Sequence, residues 1–91
     1  MLTAIVSMNV EREKLKDIAG QLADMDAVSE VYSVSGRYDL VAIVRVRESE
    51  ELPEVVTGDM TQVRGITNTE TAIAFRAYSR HDLESMFAIG T

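Results

Sequence analysis

Two polar clusters contain the residue types that could bind a small molecule. The first holds Gly36, Tyr38 and Asp39, and the second includes Thr69 and Thr71. A free amino acid needs an acceptor for its ammonium group and donors for its carboxylate. Asp39 could accept from the ammonium, while threonine hydroxyls and unpaired N–H groups at the Gly36 turn could donate to the carboxylate. Turn chemistry and β propensity also explain these residues without a ligand, and spacing alone favours that explanation.

Catalytic and metal chemistry have little support in the sequence. His81 is the only histidine, and it is most simply explained as a solvated residue in the first turn of a helix. Cysteine is absent, which excludes disulfides and thiolate metal sites. The acidic residues at 48–54 are typical of a solvated helix start, and the scattered glycines form no phosphate-binding loop. We therefore predict no catalytic residue, no metal site and no cofactor.

Length and charge restrict the class of protein. The chain has 91 residues, enough for one small domain whose modest stability would benefit from a partner subunit. Its net charge of −6 disfavours direct binding to nucleic acid, because phosphates would be repelled. No apolar run approaches the roughly 20 residues that span a bilayer, and the N-terminus has no basic segment of the signal-peptide kind. We expect no membrane association and a cytoplasmic location.

Hydrophobic periodicity predicts the order strand, helix, strand, strand, helix, strand. Alternation over 2–8 predicts the first strand. Apolar stripes at helical spacing over 15–25 and 52–63 predict two helices, the first of which should begin after a cap at Asn9, with Glu11 and Glu13 in its first turn. The runs 28–34, 40–46 and 67–77 predict the other strands. The alternation breaks between Val28 and Val31, which indicates a bulge or a late strand start.

This order predicts an α+β fold of the ferredoxin-like βαββαβ type. Right-handed crossovers would give a four-stranded antiparallel sheet with two helices on one face. The first and third strands should be central, and the run 40–44 is apolar on both faces, so we expect it to be covered on both sides. Since the helices cover one face only, a second copy of the chain would have to cover the other.

The turn at 35–39 should join the second and third strands as a hairpin, with Gly36 at a positive φ. We assign residues 1–78 to the ligand-binding domain. Residues 79–91 should form a short C-terminal helix, capped by Ser79 and Asp82, and we expect it to make an assembly contact.

Two stretches of sequence resemble the ligand-binding (RAM) domain of Lrp/AsnC-type transcriptional regulators. They are Ser35-Gly36-Arg37-Tyr38-Asp39-Leu40 and Val63-Arg64-Gly65-Ile66-Thr67-Asn68-Thr69-Glu70-Thr71-Ala72-Ile73. The resemblance covers about residues 2–77. It implies an αβ-sandwich homodimer that assembles into a ring, often an octamer, with small amino-acid effectors bound between dimers. It also implies ligand contacts at Gly36, Tyr38 and Asp39, and at Thr69 and Thr71.

The family's regulators carry a helix-turn-helix domain before this domain, whereas Met1 here leads directly into the first strand. The resemblance is therefore to a stand-alone form, and DNA binding by this chain is not expected. Such a protein would sense an amino acid, or modulate full-length Lrp/AsnC relatives by co-assembly.

Two other functions remain open. A small enzyme of the dimeric α+β-barrel type, similar to a monooxygenase or isomerase, would need His81, Asp39 or a tyrosine in an apolar cavity inside the sheet–helix sandwich. A purely structural assembly domain would keep the fold with a degenerate site. We favour the amino-acid-binding protein because the two motifs coincide with the unpartnered sheet face.

Overall fold

The computed structural model describes residues 1–80. Its elements, in chain order, are β1 (Leu2–Val10), a 3₁₀ turn (Arg12–Lys14) leading into α1 (Leu15–Ala23), β2 (Val28–Ser33), β3 (Leu40–Val46), the helical segment α2 (51–62) and β4 (Ile66–Ala74). Segment α2 begins as an α-helical turn at Glu51–Pro53, widens to π-helix at Glu54–Asp59 and ends in a 3₁₀ turn at Met60–Gln62. The predicted order of strands and helices is confirmed.

The four strands form one antiparallel sheet in the order β2-β3-β1-β4. The prediction that the first and third strands are central is confirmed, and so is the bulge, because the β2–β3 register shifts between Val28 and Glu30. β4 ends at Ala74, three residues before the predicted end at residue 77. Its pairing with β1 ends at Thr3–Ala74, and because β1 itself begins at Leu2, residues 75–77 have almost no strand left to pair with.

The core lies between one face of this sheet and the two helices. Alternate residues of the central strands are buried there: Ala4, Val6, Met8, Leu40, Ala42 and Val44. They pack against the buried residues of α1 and α2: Ile18, Leu22, Val55 and Met60. Each large apolar side chain buried in this way contributes about 1.5–3 kcal/mol. The wide π-helical turns of α2 put Val55 and Met60, which are five residues apart, on the same buried side. The burial pattern therefore fixes which sheet face the helices cover.

The opposite face of the sheet, which we call the open face, has no covering element in the described chain. Its central row runs across three strands, from Ile43 through Ile5 to Ala72. Ile5 is 38% exposed, although it lies in the middle of the sheet. Within residues 1–80 β3 is therefore covered on one side only, and coverage of its other side by a second copy remains a prediction.

The prediction that Asn9 caps the first helix is wrong. β1 continues through Val10, so Asn9 is a strand residue, and the helical turns begin after Glu11 without a side-chain cap. Pro53 lies in the first turn of α2, as predicted. The predicted tail helix, including His81 and the cap at Asp82, falls outside the described residues. None of the helices formed by residues 1–80 has the length and hydropathy needed to cross a lipid bilayer.

Candidate ligand-binding site

The loop between β2 and β3 is a closed hairpin. Gly36 has a φ of 103°, which confirms the predicted positive φ. The N–H of Val34 donates to the carbonyl of Asp39 at 3.0 Å and closes the loop. A Cβ built on Gly36 would meet no atom of the described chain within 4 Å. The space beside Gly36 is therefore open to a ligand or to another subunit.

Asp39 fastens the start of β3 to the end of β1. Its N–H donates to the carbonyl of Met8 at 2.9 Å, and its carboxylate Oδ2 accepts from the N–H of Val10 at 3.0 Å. The other oxygen, Oδ1, accepts no hydrogen bond from residues 1–80. A carboxylate held through one oxygen, with the other unpaired, has the capacity to accept from an ammonium group.

Asn9 is the residue of this region that sequence reasoning missed. Its side-chain Nδ2 donates to the carbonyl of Arg37 at 2.9 Å and lies 3.5 Å from Oδ2 of Asp39, while its Oδ1 accepts from Nδ2 of Asn68 at 3.4 Å. Nothing in the local sequence marks this role. The signal is the strand register, which places Asn9 opposite Asn68 and one position beyond the Met8–Leu40 pair.

Tyr38 connects the hairpin to β4. Its hydroxyl donates to the carboxylate of Glu70, which lies opposite Ser7 on the open face. Because β1 separates β3 from β4, the Tyr38 side chain reaches across β1 on that face. The hydrogen bond to Glu70 raises the pKa of Tyr38 above its usual value near 10, with smaller contributions from burial and from the Glu70 charge, opposed by Arg37. The Tyr38 hydroxyl thus has an acceptor within its own chain.

The two sequence clusters meet through Asn68 and Glu70 rather than through the threonines. Thr69 pairs with Met8 and Thr71 with Val6, so both threonines lie on the helix-covered side of the edge strand. Their neighbours Asn68 and Glu70 lie on the open face, because successive strand residues point to opposite faces. Within one chain, Gly36, Tyr38 and Asp39 are therefore together, whereas Thr69 and Thr71 face away from them.

A surface cleft of about 410 Å³ lies between α2 and the start of β4. It combines apolar and neutral polar side chains: Val56, Met60, Thr61, Val63, Ile66, Thr67, Asn68 and Thr69. Asn68 is shared between this cleft and the polar contacts of Asn9. Thr69 lines this cleft and therefore lies on the opposite face of β4 from Glu70.

A second depression of about 530 Å³ lies at the end of the sheet away from the hairpin, beside Asp26 and Arg45. Its Glu51 carboxylate already accepts the N–H groups of Arg47 and Glu48, each at 2.8 Å. Residues 1–80 contain no group of three or more side chains that could hold a metal ion. The layer between sheet and helices, where the enzyme hypothesis requires a cavity, is filled by buried side chains such as Met8 and Leu22.

Comparison with known proteins gives the same fold and family. A protein from Thermus thermophilus is 44% identical and superposes with a TM-score of 0.82 over 88% of this chain and 100% of that one. The feast or famine regulatory protein of Mycobacterium tuberculosis, solved in complex with L-methionine, is 23% identical with a TM-score of 0.73, over 88% of this chain and 54% of that one. At that identity, the likeness concerns the fold.

Curated relatives are transcriptional regulators. LrpA of Pyrococcus horikoshii, an HTH-type transcriptional regulator, is 28% identical over 72 residues, which cover 79% of this chain and 51% of the regulator. The chain thus spans about half the length of such relatives. The family profile of the Lrp/AsnC ligand binding domain matches residues 3–83, nearly the whole sequence. The resemblance of the two sequence stretches is thereby confirmed, and the chain belongs to the Lrp/AsnC ligand-binding domain family.

Proposed function

We propose that this chain binds a free amino acid at the hairpin segment 36–39 and senses it as an effector in the regulation of transcription or amino-acid metabolism. The observation that carries the proposal is the state of Asp39: Oδ2 is held by the N–H of Val10, while Oδ1 has no hydrogen-bond partner within residues 1–80. This oxygen would accept from the ligand's ammonium group. The L-methionine complex of the mycobacterial relative supports an amino acid as the class of ligand.

The ligand's carboxylate requires donors that the same hairpin supplies only in part. Backbone N–H groups at Gly36 are available for this role, whereas Thr69 and Thr71 face the other side of the sheet. We therefore assign these threonines to a neighbouring copy, so that the complete site forms at a subunit boundary. Tyr38, held by Glu70, would form one wall of it.

Assembly is the second part of the proposal. The open face, with Ile5 at its centre, would pair with the same face of a second copy, and the dimers would associate into a ring, an octamer by analogy with the family. The chain would act through its own oligomers or by joining full-length Lrp/AsnC relatives. With a net charge of −6, it would not bind DNA itself. We propose that it acts in the cytoplasm, where such regulators work.

Calorimetry against the twenty amino acids tests the site. We expect heat and thermal stabilisation from one or a few of them, amounting to about 2.7 kcal/mol at a hundred times Kd. Asp39→Asn should weaken binding by about 10- to 100-fold, because a hydrogen bond to a charged group contributes about 1.5–3 kcal/mol. Asparagine keeps an oxygen for the N–H of Val10, so the fold should be retained.

The control is Asp24→Asn, which removes the same charge from an exposed residue just after α1 whose side chain makes no hydrogen bond within residues 1–80. It should bind like the wild type. Absence of heat and of thermal shift with all twenty amino acids would contradict the proposed function. If Asp39→Asn also left the light-scattering mass and every ligand response unchanged, the structural assembly hypothesis would be preferred.

A further inference from the structure

The hairpin end of the sheet contains a polar side chain, Asn9, that lies outside both sequence motifs. We propose that Asn9 is a positioning residue, which sets the orientation of the hairpin and of the Asp39 carboxylate for ligand binding. This inference rests on the proposed amino-acid site and adds a residue to it.

The strongest of these contacts joins Asn9 to the loop backbone. The bond from Nδ2 to the carbonyl of Arg37, at 2.9 Å, has the length of a normal N–H···O hydrogen bond. The contacts with Asp39 Oδ2 at 3.5 Å and from Asn68 at 3.4 Å are longer and correspondingly weaker. Asn9 therefore acts chiefly through Arg37, with Asp39 as its second neighbour.

The bond to Arg37 supplies a restraint that the rest of the hairpin lacks. The bonds Val34 N–H to Asp39 and Asp39 N–H to Met8 hold the base of the loop. Among residues 1–80, only Asn9 bonds to the backbone between Ser35 and Tyr38. Since Gly36 restricts its own backbone less than any other residue type would, the loop depends on an outside contact for a fixed orientation.

Asn9 is well placed to provide that contact because it belongs to a central strand. β1 is paired with both β3 and β4 as far as Met8, and Asn9 itself pairs with Asn68 of β4, so the loop is tied to a strand that the sheet holds in place. The same Nδ2 lies beside Oδ2 of Asp39, the oxygen that accepts from the N–H of Val10. Holding Oδ2 on β1 leaves Oδ1 as the oxygen available to a ligand.

The test compares Asn9→Ala with Thr3→Ala, a control on the same strand and the same face at its other end. For the amino acid that binds the wild type, Asn9→Ala should raise Kd about 3- to 10-fold, the range that corresponds to the loss of one ordinary hydrogen bond. Thr3→Ala should change it less than about twofold on the same scale. Asn9→Leu, which keeps the volume and removes the donor, should behave like Asn9→Ala.

A second measurement separates positioning from general stability. In the Asp39→Asn background, Asn9→Ala should weaken binding by a smaller factor than it does in the wild type, because residues that act as a unit are not additive. Hydrogen exchange of the Asp39 amide should be about tenfold faster in Asn9→Ala, whereas exchange of the Arg45 amide, which donates to Ala27 at the far end, should not change.

The binding and exchange measurements together decide whether Asn9 positions the hairpin. Wild-type affinity in both Asn9 variants, or additive losses in the double variant, would overturn it. If the wild type binds no amino acid at all, the proposed function fails. The positioning role of Asn9 is then tested by hydrogen exchange alone. Faster exchange confined to the hairpin would then support its positioning role, and unchanged exchange would refute it.

Discussion

Replacing Gly65 by alanine should destabilise the protein more than the same change at Gly36, although the two residues have nearly equal φ values of 104° and 103°. A side chain at such a φ costs about 1–2 kcal/mol in either position. At Gly65 the new Cβ would also lie 2.8 Å from Cδ1 of Ile18 and 3.0 Å from Cδ of Lys14. At Gly36 it would meet nothing within 4 Å.

The additional cost at Gly65 comes from Ile18, which is fully buried in the core. Overpacking typically costs about 1–3 kcal/mol, and the lower end applies here because a terminal methyl group can move. We therefore expect losses of about 2–3 kcal/mol for Gly65→Ala and about 1–2 kcal/mol for Gly36→Ala. Gly20→Ala, in α1 with open space around it, should stabilise by about 0.5–1 kcal/mol.

Urea unfolding at one fixed protein concentration measures these differences, since association would otherwise shift the midpoint. With slopes of about 1–3 kcal/mol per molar urea, a loss of about 2–3 kcal/mol in Gly65→Ala should lower the midpoint by about 0.7–3 M. A Gly65→Ala midpoint equal to or above that of Gly36→Ala would refute the steric argument. A Gly20→Ala midpoint as low as either would show that the assay responds to any alanine at a glycine position.

Two further predictions concern the open face. The pKa values of Tyr38 and Tyr32 are raised, first by hydrogen bonds to Glu70 and Glu30, so the native state holds these protons more tightly than the unfolded chain. Their contribution to the free energy of unfolding should be complete below pH 10 and should be lost as the pH rises above it. Glu70→Gln should move the absorbance transition of the Tyr38 phenolate toward lower pH. An unchanged titration curve would contradict the Tyr38–Glu70 contact. Ile5→Glu should reduce the light-scattering mass by dissociating the sheet-to-sheet dimer, whereas Ala23→Glu, on the exposed side of α1, should not. Equal masses for the wild type and both variants would exclude the open face as the interface.

The hydrophobic periodicity of the sequence was sufficient to predict the order of strands and helices. Alternation in the first strand predicted that Ala4, Val6 and Met8 share a buried face, because side chains in a strand alternate with a period of two. Gly36 marked the hairpin turn, since a positive φ strongly favours glycine. The two motifs at 35–40 and 63–73 were sufficient to identify the family.

Local pattern did not determine the contacts of the candidate site. The sequence predicted Asn9 as a helix cap and could not tell whether Thr69 and Thr71 lie beside Asp39 of the same chain, because a segment alone does not show which strand pairs with it or in which register. The pairing of β1 with both β3 and β4 decided that Asn9, Asn68 and Glu70 face the hairpin's side of the sheet. A shift of one residue in strand register would have moved each of these side chains to the opposite face of the sheet. Only the tertiary structure, through the register of its strands, therefore decided which polar groups meet.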